Sequence, residues 1–369
     1  MEKKVLVIGG GVIGLSSAIC LLEDGWDVTI HSAEFSPNTT SDVAAALWYP
    51  FLSAPVEKTD AWGSRTYDIL KLLTADEKAG IEMVQTYEYF RSKQEDPSWM
   101  STVDKFERIT EDLPSDYVEC FSFMTQVIEM PIYLNWLMER FKVLGGKLKK
   151  QVVTSFSDVS DDFSLIINCT GLSSGELCAD SEVYPVRGQI IRIKPLIGEM
   201  HLDQQVPTLA YIVPRSNDMI IGGVAQEGNW NTEATLEDRN FIIDKASKII
   251  PGIKDAEIIE DIVGLRPGST EVRLEKELIS EILEYKFFHV LFKTLVILSF
   301  NFRNDHTLSF SSSIGAIKNI TKGLNAVGGF SNYTELNNDN LNELFVGMIS
   351  KYLTGILYVG IEGSLAPNF

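Results

Sequence analysis

The chain opens on four consecutive apolar residues, Val5 to Ile8, then glycines at 9, 10, 11 and 14, then apolar positions from Val12 to Leu22 at helical spacing. A short apolar run closed by a turn signal predicts a buried strand. The helical repeat predicts a helix stopped by Asp24-Gly25, and "WDVTIH" at 26–31 predicts a second strand. This is the start of a βαβ unit. From about 58 to 140 helical patterns mix with charged loops, and "IYLNWLMERFKVLGG" at 132–146 predicts an amphipathic helix ended by glycine. "KLKKQVV" and "SLIINCTG" return to strand character. From 186 to 275 the runs alternate, as in "RGQIIRIKP", "AYIVPRSNDMIIGGV" and "AEIIEDIVGLRPG", with a hairpin expected at "RSND". That pattern predicts a second, mostly antiparallel sheet inserted into the first domain.

Composition narrows the classes. A chain of 369 residues with 45% hydrophobic content can fill the cores of two domains. Its net charge of −19 repels phosphate backbones and anionic bilayers, so neither nucleic acid nor membrane is expected as a partner. "FFHVLFKTLVILSF" at 287–300 is shorter than the roughly 20 residues a spanning helix needs and carries His289 and Lys293, so it reads as a core element. The cysteines at 20, 120, 169 and 178 are scattered without a CxxC, which suits buried thiols in a reducing compartment and no metal.

The turn after the first strand has the spacing Gly9-x-Gly11-x-x-Gly14. Such glycines let the chain turn tightly, bring the amides around Val12 and Ile13 close to a pyrophosphate, and pack helix on strand. With a strand before it and a helix after it, the motif predicts a bound dinucleotide. It does not separate nicotinamide from flavin. An acid is expected at the end of the second strand to bind ribose, and Glu34 is the nearby candidate; a solvated loop acid would look the same.

At "AEFSPNTTSDVAAALWYPF", residues 33–51, the sequence resembles the D-amino-acid oxidase family, which includes D-aspartate oxidase. The resemblance continues in order through "DPSW", "NCTG", "YPVRGQIIRI", "YIVPRSNDMIIGG", "GNWN" and "GLRPGSTEVRLEKE", up to Glu277. It implies an FAD enzyme that takes a hydride from the Cα of a D-amino acid to flavin N5. The imine is hydrolysed to a 2-oxo acid and ammonia, and oxygen returns the electrons as hydrogen peroxide. A D-amino acid and molecular oxygen are then the partners, and no acid or base need be found for the chemical step.

Matching positions imply the site. Thr39, Thr40 and Ser41 would contact the pyrophosphate, though a polar loop or helix cap, with Ser41 or Asp42 in that role, reads equally from the residues alone. Ala44 to Trp48, with Ala45, Ala46 and Leu47 between, match the segment against the flavin; helix-forming alanines are the bland reading. Val153 and Thr170 match positions near the adenine and the nucleotide strands. Arg266, in "GLRP", and Tyr211, opening "YIVP", match the pair that binds the substrate carboxylate, where a planar two-pronged guanidinium suits the ligand. His201, His289 and His306 sit in no matching motif and read as packing or surface residues.

The fold expected is therefore α/β: a Rossmann-like FAD-binding domain from 1–57, 141–185 and 264–277, with an inserted β-rich (α+β) substrate domain from 58–140 and 186–263. Residues 278–369 stand apart as a divergent C-terminal region of undetermined fold. The family's "HNYGHGGxG" segment is missing there, and Gly328 and Gly329 of "NAVGGFSNYTELN" are a weak echo. A divergent replacement, a reading-frame artefact and an appended module are all open, with the irregular patterning favouring the artefact. Two alternatives to the oxidase follow: a catalytically silent flavoprotein-like chain, and a D-aspartate oxidase in which Arg215 binds the acidic side chain. The absence of a signal-peptide pattern and of an S-K-L type ending at Ala366 to Phe369 makes cytoplasm the expected location. Oligomeric state is left open, with a homodimer as one candidate.

Overall fold

Val5, Leu6 and Val7 have no exposed surface, which is why the first four apolar residues form a strand covered on both faces. The computed structural model describes residues 4–50, 53–159, 163–205, 209–272, 274–280, 285–289 and 301–303. Strand β1 (Lys4–Gly10), helix α1 (Val12–Glu23) and β2 (Asp27–Phe35) make the expected parallel βαβ unit, with Val5 opposite Val28 and Val7 opposite Ile30. The second strand runs four residues past "WDVTIH", to Phe35, which brings Glu34 to its end.

Helix α2 (Val56–Leu73) leads into β3 (Ile81–Phe90), β4 (Asp104–Ile109) and β5 (Glu119–Ile128). This corrects the helix-and-loop expectation for residues 58–140. β3 and β5 pair antiparallel over ten residues, from Ile81 opposite Ile128 to Phe90 opposite Glu119. Polar Thr86, Glu88, Ser122 and Thr125 are buried in this ladder, so polarity does not mark its outer face and the period-2 signal is blurred.

Helix α3 (Met130–Val143) matches its pattern: Met130, Tyr133, Leu134, Leu137 and Phe141 form one buried stripe that packs on α1. Gly145, at φ +88°, ends it, with its N–H donating to the Lys142 carbonyl and that of Gly146 to Phe141. β6 (Lys147–Lys150), β7 (Leu165–Asn168) and the short α4 (Ser174–Leu177) follow.

The second sheet is built around β8 (Tyr184–Ile193), joined by β9 (Met200–Asp203), β10 (Ala210–Pro214), β11 (Met219–Gly222) and β12 (Gln226–Glu227). The hairpin expected at "RSND" joins β10 to β11, closed by the Arg215 N–H on the Asp218 carbonyl. Helix α5 (Leu236–Ile249) covers one face, where Ile242, Ala246 and Ile249 pack with Ile191, Ile212 and Ile221. The long β13 (Ile258–Gly268) runs along β8. The strand order is β12-β8-β11-β10-β9-β3-β5-β4, with β13 on the free side of β8; β3 and β9 pair parallel within this mostly antiparallel sheet.

Beyond Gly268, β14 (Glu275–Ser280), β15 (Tyr285–His289) and β16 (Asn301–Arg303) join the first sheet beside β7, giving the order β14-β15-β16-β7-β1-β2-β6. The apolar run at 287–300 contributes Phe287 to His289 to β15; its remainder, and Gly328 and Gly329, lie outside the described residues. Among the described residues no helix is long and apolar enough to cross a membrane.

Candidate active site

The glycine turn is forced by backbone contacts. A Cβ on Gly9, which has φ +116°, would stand 2.2 Å from the Cys169 carbonyl oxygen; one on Gly14 would stand 1.8 Å from the Gly9 oxygen. These two positions let β7 and α1 close on β1. Gly11 faces Ser41, whose Oγ accepts the Val12 N–H at 3.1 Å, and Ser32 Oγ accepts the Gly10 N–H at 2.9 Å. Thr39 is engaged differently: its hydroxyl and its N–H both donate to Asp42 Oδ2, a capping box over the next turn.

A cavity of about 440 Å³ starts at this turn. Gly9, Gly11, Val12, Ile13, Glu34, Thr39, Thr40, Ser41, Val153 and Thr170 all line it, and so does Arg266 from the second sheet. Glu34 is ion-paired at 2.8 Å with Lys150 at the rim, and the Thr170 hydroxyl donates to Asn168 Oδ1 at 2.7 Å. The alanine segment turns its side chains inward. Ala45, Ala46, Leu47 and Trp48 are at most 3% exposed and face the core, while Val43 and Ala44 reach the cavity. The backbone explains it: Ile128 N–H donates to the Ala46 carbonyl and Trp48 N–H to that of Gln126, so the segment pairs with β5. Gly14 and Tyr211 also lie behind the lining.

Arg266 and Tyr211 nonetheless meet. Two glycines clear the space for them: a Cβ on Gly188 would stand 2.0 Å from Arg266 Nη1, and one on Gly222 would stand 2.2 Å from the Tyr211 ring. Both side chains therefore lie flat across the sheet face. Arg266 is half-buried, and its Nη1 donates to the Val224 carbonyl at 3.4 Å, a long bond. Tyr211 is 1% exposed; burial pushes its phenol up to about 12, opposed by the attraction of Arg266. The phenol keeps its proton and can donate to an anion held by the guanidinium. Gly188 and Gly222 are site residues that the sequence reading missed, although a glycine interrupting an alternating strand was the available signal.

Arg215 does not join this pair. Its guanidinium makes two hydrogen bonds, 2.6 and 2.7 Å, to the Asp218 carboxylate within the hairpin, and both side chains are buried. His201 is a packing residue, with Nδ1 3.0 Å from the Tyr89 hydroxyl and its pKa lowered to about 4 by burial. The side chain of His289 and all of His306 lie outside the described residues.

The residues present fit a flavin dinucleotide. The α1 N-terminus opens onto the cavity without a Cβ at Gly11, where a diphosphate would be received. Near Glu34, Gln151 Oε1 is buried without a hydrogen-bond partner in the wall beside Val152 and Val153, an apolar ledge with one waiting acceptor, as an adenine amino group requires. Fold and site thus define a dinucleotide-binding α/β protein whose cofactor cavity also takes in a guanidinium, Arg266, with the Tyr211 phenol beside it.

The chain belongs to the FAD dependent oxidoreductase family, whose model matches residues 4–291. Its cofactor is FAD. D-amino-acid oxidase of Rubrobacter xylanophilus is 39% identical over 278 residues, 74% of this chain and 85% of the relative. That of Dictyostelium discoideum is 35% identical over 329 residues, covering 87% and 92%, and human D-aspartate oxidase is 33% identical over 289 residues, covering 75% and 84%. Glycine oxidase from Bacillus cereus shares the fold with TM-score 0.62 at 20% identity, over 75% of this chain and 86% of that one. L-α-glycerophosphate oxidase from Mycoplasma pneumoniae, solved with FAD bound, does so with TM-score 0.61 at 14% identity, over 74% and 86%. The family match runs to residue 291, past Glu277 where the motif likeness stops.

Proposed function

We propose that the chain oxidises the Cα–N bond of D-amino acids, giving a 2-oxo acid, ammonia and hydrogen peroxide from the amino acid, water and oxygen. The observation that carries this reading is the Tyr211–Arg266 pair on the second sheet, with Arg266 lining the same cavity as the glycine turn and Tyr211 behind that lining. Bound FAD supplies the two-electron acceptor for the Cα–H bond and is reoxidised by oxygen. The chain's own residues bind and orient. Gly11, Val12, Ile13 and Ser41 would hold the diphosphate, Glu34 a ribose, and Gln151 with Val153 the adenine.

Arg266 would grip the substrate carboxylate with two parallel N–H donors while the Tyr211 hydroxyl donates a third bond. Holding the carboxylate in this way anchors Cα in the cofactor cavity, so rate comes from position rather than from a side-chain base. Arg215 is committed to Asp218, and among the described lining residues Arg266 is the only cation. That favours substrates without a second carboxylate over D-aspartate.

The test is peroxide formation by purified, FAD-saturated protein with matched D- and L-amino acids. D-selective peroxide is expected. Protein that takes up no flavin, or that gives no peroxide with any D-amino acid, contradicts the reading.

A further inference from the structure

Glu88 is a buried acid that the reading above leaves unused. It lies on β3 opposite Leu202 of β9, and Leu202 lies opposite Tyr211 of β10; Tyr211 pairs in turn with Gly222, and Gly222 with Ile190 of the cavity wall. Directly paired residues point to one face of a sheet, so Glu88, Tyr211 and Ile190 share the face that carries the site, opposite to the one covered by α5. Two strand spacings, about 10 Å, separate Glu88 from Tyr211.

The surroundings of the carboxyl are unusual for a structural acid. It is 1% exposed, and among the described residues no Lys or Arg forms an ion pair with it. One oxygen accepts from the Tyr49 hydroxyl; the other, Oε2, is buried with no hydrogen-bond partner. Tyr49 follows the buried segment Ala45 to Trp48, and its ring packs on Trp99 at 5.3 Å and Phe123 at 6.4 Å. An acid with a vacant lone pair beside aromatic rings is a receptor for a cation or a strong N–H donor. Burial raises its pKa to about 8, with Asp203 adding to the rise and Tyr49 opposing it, as for a carboxyl awaiting a positive partner.

We propose that Glu88 is a specificity residue that receives the side-chain cation of a basic D-amino acid, such as D-lysine, whose carboxylate is held by Arg266 and Tyr211. This rests on the oxidase reading. A four-carbon side chain running over Leu202 covers most of the distance between the two ends, and the Glu88 side chain covers the rest. Glu88 and Tyr211 are each 1% exposed and Leu202 between them is fully buried, so the Leu202 side chain must give way as the substrate enters. Once inside, the ion pair is desolvated, which makes an unmatched side chain costly and a matched one selective.

The experiment compares D-lysine with D-methionine, of similar length and no charge, in wild type, Glu88→Gln and Glu88→Leu, each saturated with FAD. Gln keeps an acceptor for Tyr49 and nearly the same volume, and a melting curve checks that each variant is folded. Peroxide formation gives kcat and KM, and perturbation of the flavin spectrum by each amino acid without oxygen gives binding independently of turnover. Wild type is expected to prefer D-lysine. Glu88→Gln should lower kcat/KM for D-lysine by about 10- to 100-fold, mainly through KM, and leave D-methionine within about threefold. Wild type that oxidises D-methionine but not D-lysine, or variants in which both substrates change alike or not at all, overturns the assignment and leaves the oxidase reading standing. Wild type that oxidises neither substrate, nor any other D-amino acid, overturns both.

Discussion

A carboxyl group sealed among aromatic rings, as Glu88 is, leaves a signature in folding as well as in specificity. Its pKa is raised from 4.5 to about 8, first by burial and then by Asp203, against the Tyr49 hydrogen bond. Below about pH 4.5 the group is protonated whether the chain is folded or not. Between there and about 8 the unfolded chain ionises and the folded one does not, so stability falls as pH rises through this window and levels off above it. Subtracting the urea-unfolding profile of Glu88→Gln from that of wild type removes common contributions, including that of His201, whose lowered pKa acts in the opposite direction. The difference is expected to fall steadily from about pH 5 to 8; a flat difference contradicts a buried, proton-bearing Glu88. At this scale the sequence showed Arg266 and Tyr211 through their resemblance to family motifs, because a guanidinium or phenol alone is ambiguous. Glu88 stayed hidden because a glutamate in "IEMVQTYEYF" reads as a solvated position until the sheet places it.

At the level of elements, the βαβ start, the amphipathic α3 and the hairpin at Arg215 to Asp218 were legible, since each has a period or a turn residue that tertiary packing did not override. The β3–β5 ladder was not, because its inward side chains include Thr86, Glu88 and Thr125 and the alternation loses contrast. The family resemblance sets the alanine segment 44–48 against the flavin, where small side chains permit close backbone approach. In the structure its backbone pairs with β5 from Ala46 on, and that turns four side chains into the core. Strand β8 offers the sharpest element-scale test. Gly188 and Arg266 are on adjacent strands two residues out of direct register, and the guanidinium lies where a Cβ would be. Gly188→Ala should displace the guanidinium while leaving the sheet paired, raising KM for a D-amino acid by about tenfold or more with little change in melting temperature. Unchanged KM would show that Arg266 does not hold the substrate from this position.

For the whole molecule, both sheets contribute to the cavity: the glycine turn and the ends of β1, β2 and β7 line it from the first sheet, and β8 and β13 from the second. An excess of negative charge, −19, leaves Arg266 as a locally positive feature among the described lining residues, which suits an anionic end on a small substrate. The described part of the C-terminal region adds three strands beside β7, and the family match ends at residue 291. The expectations attached to the rest of 278–369 lie outside the described residues. The central claim is that one guanidinium positions a D-amino acid against FAD. Its most direct test is anaerobic titration of flavin-loaded wild type and Arg266→Ala with D-alanine and L-alanine, following loss of the flavin absorbance. Wild type should bleach with D-alanine and not with L-alanine, and the variant should retain its flavin yet need roughly 100-fold more D-alanine. Bleaching of the variant at the wild-type concentration, or loss of flavin and substrate response together, would contradict it.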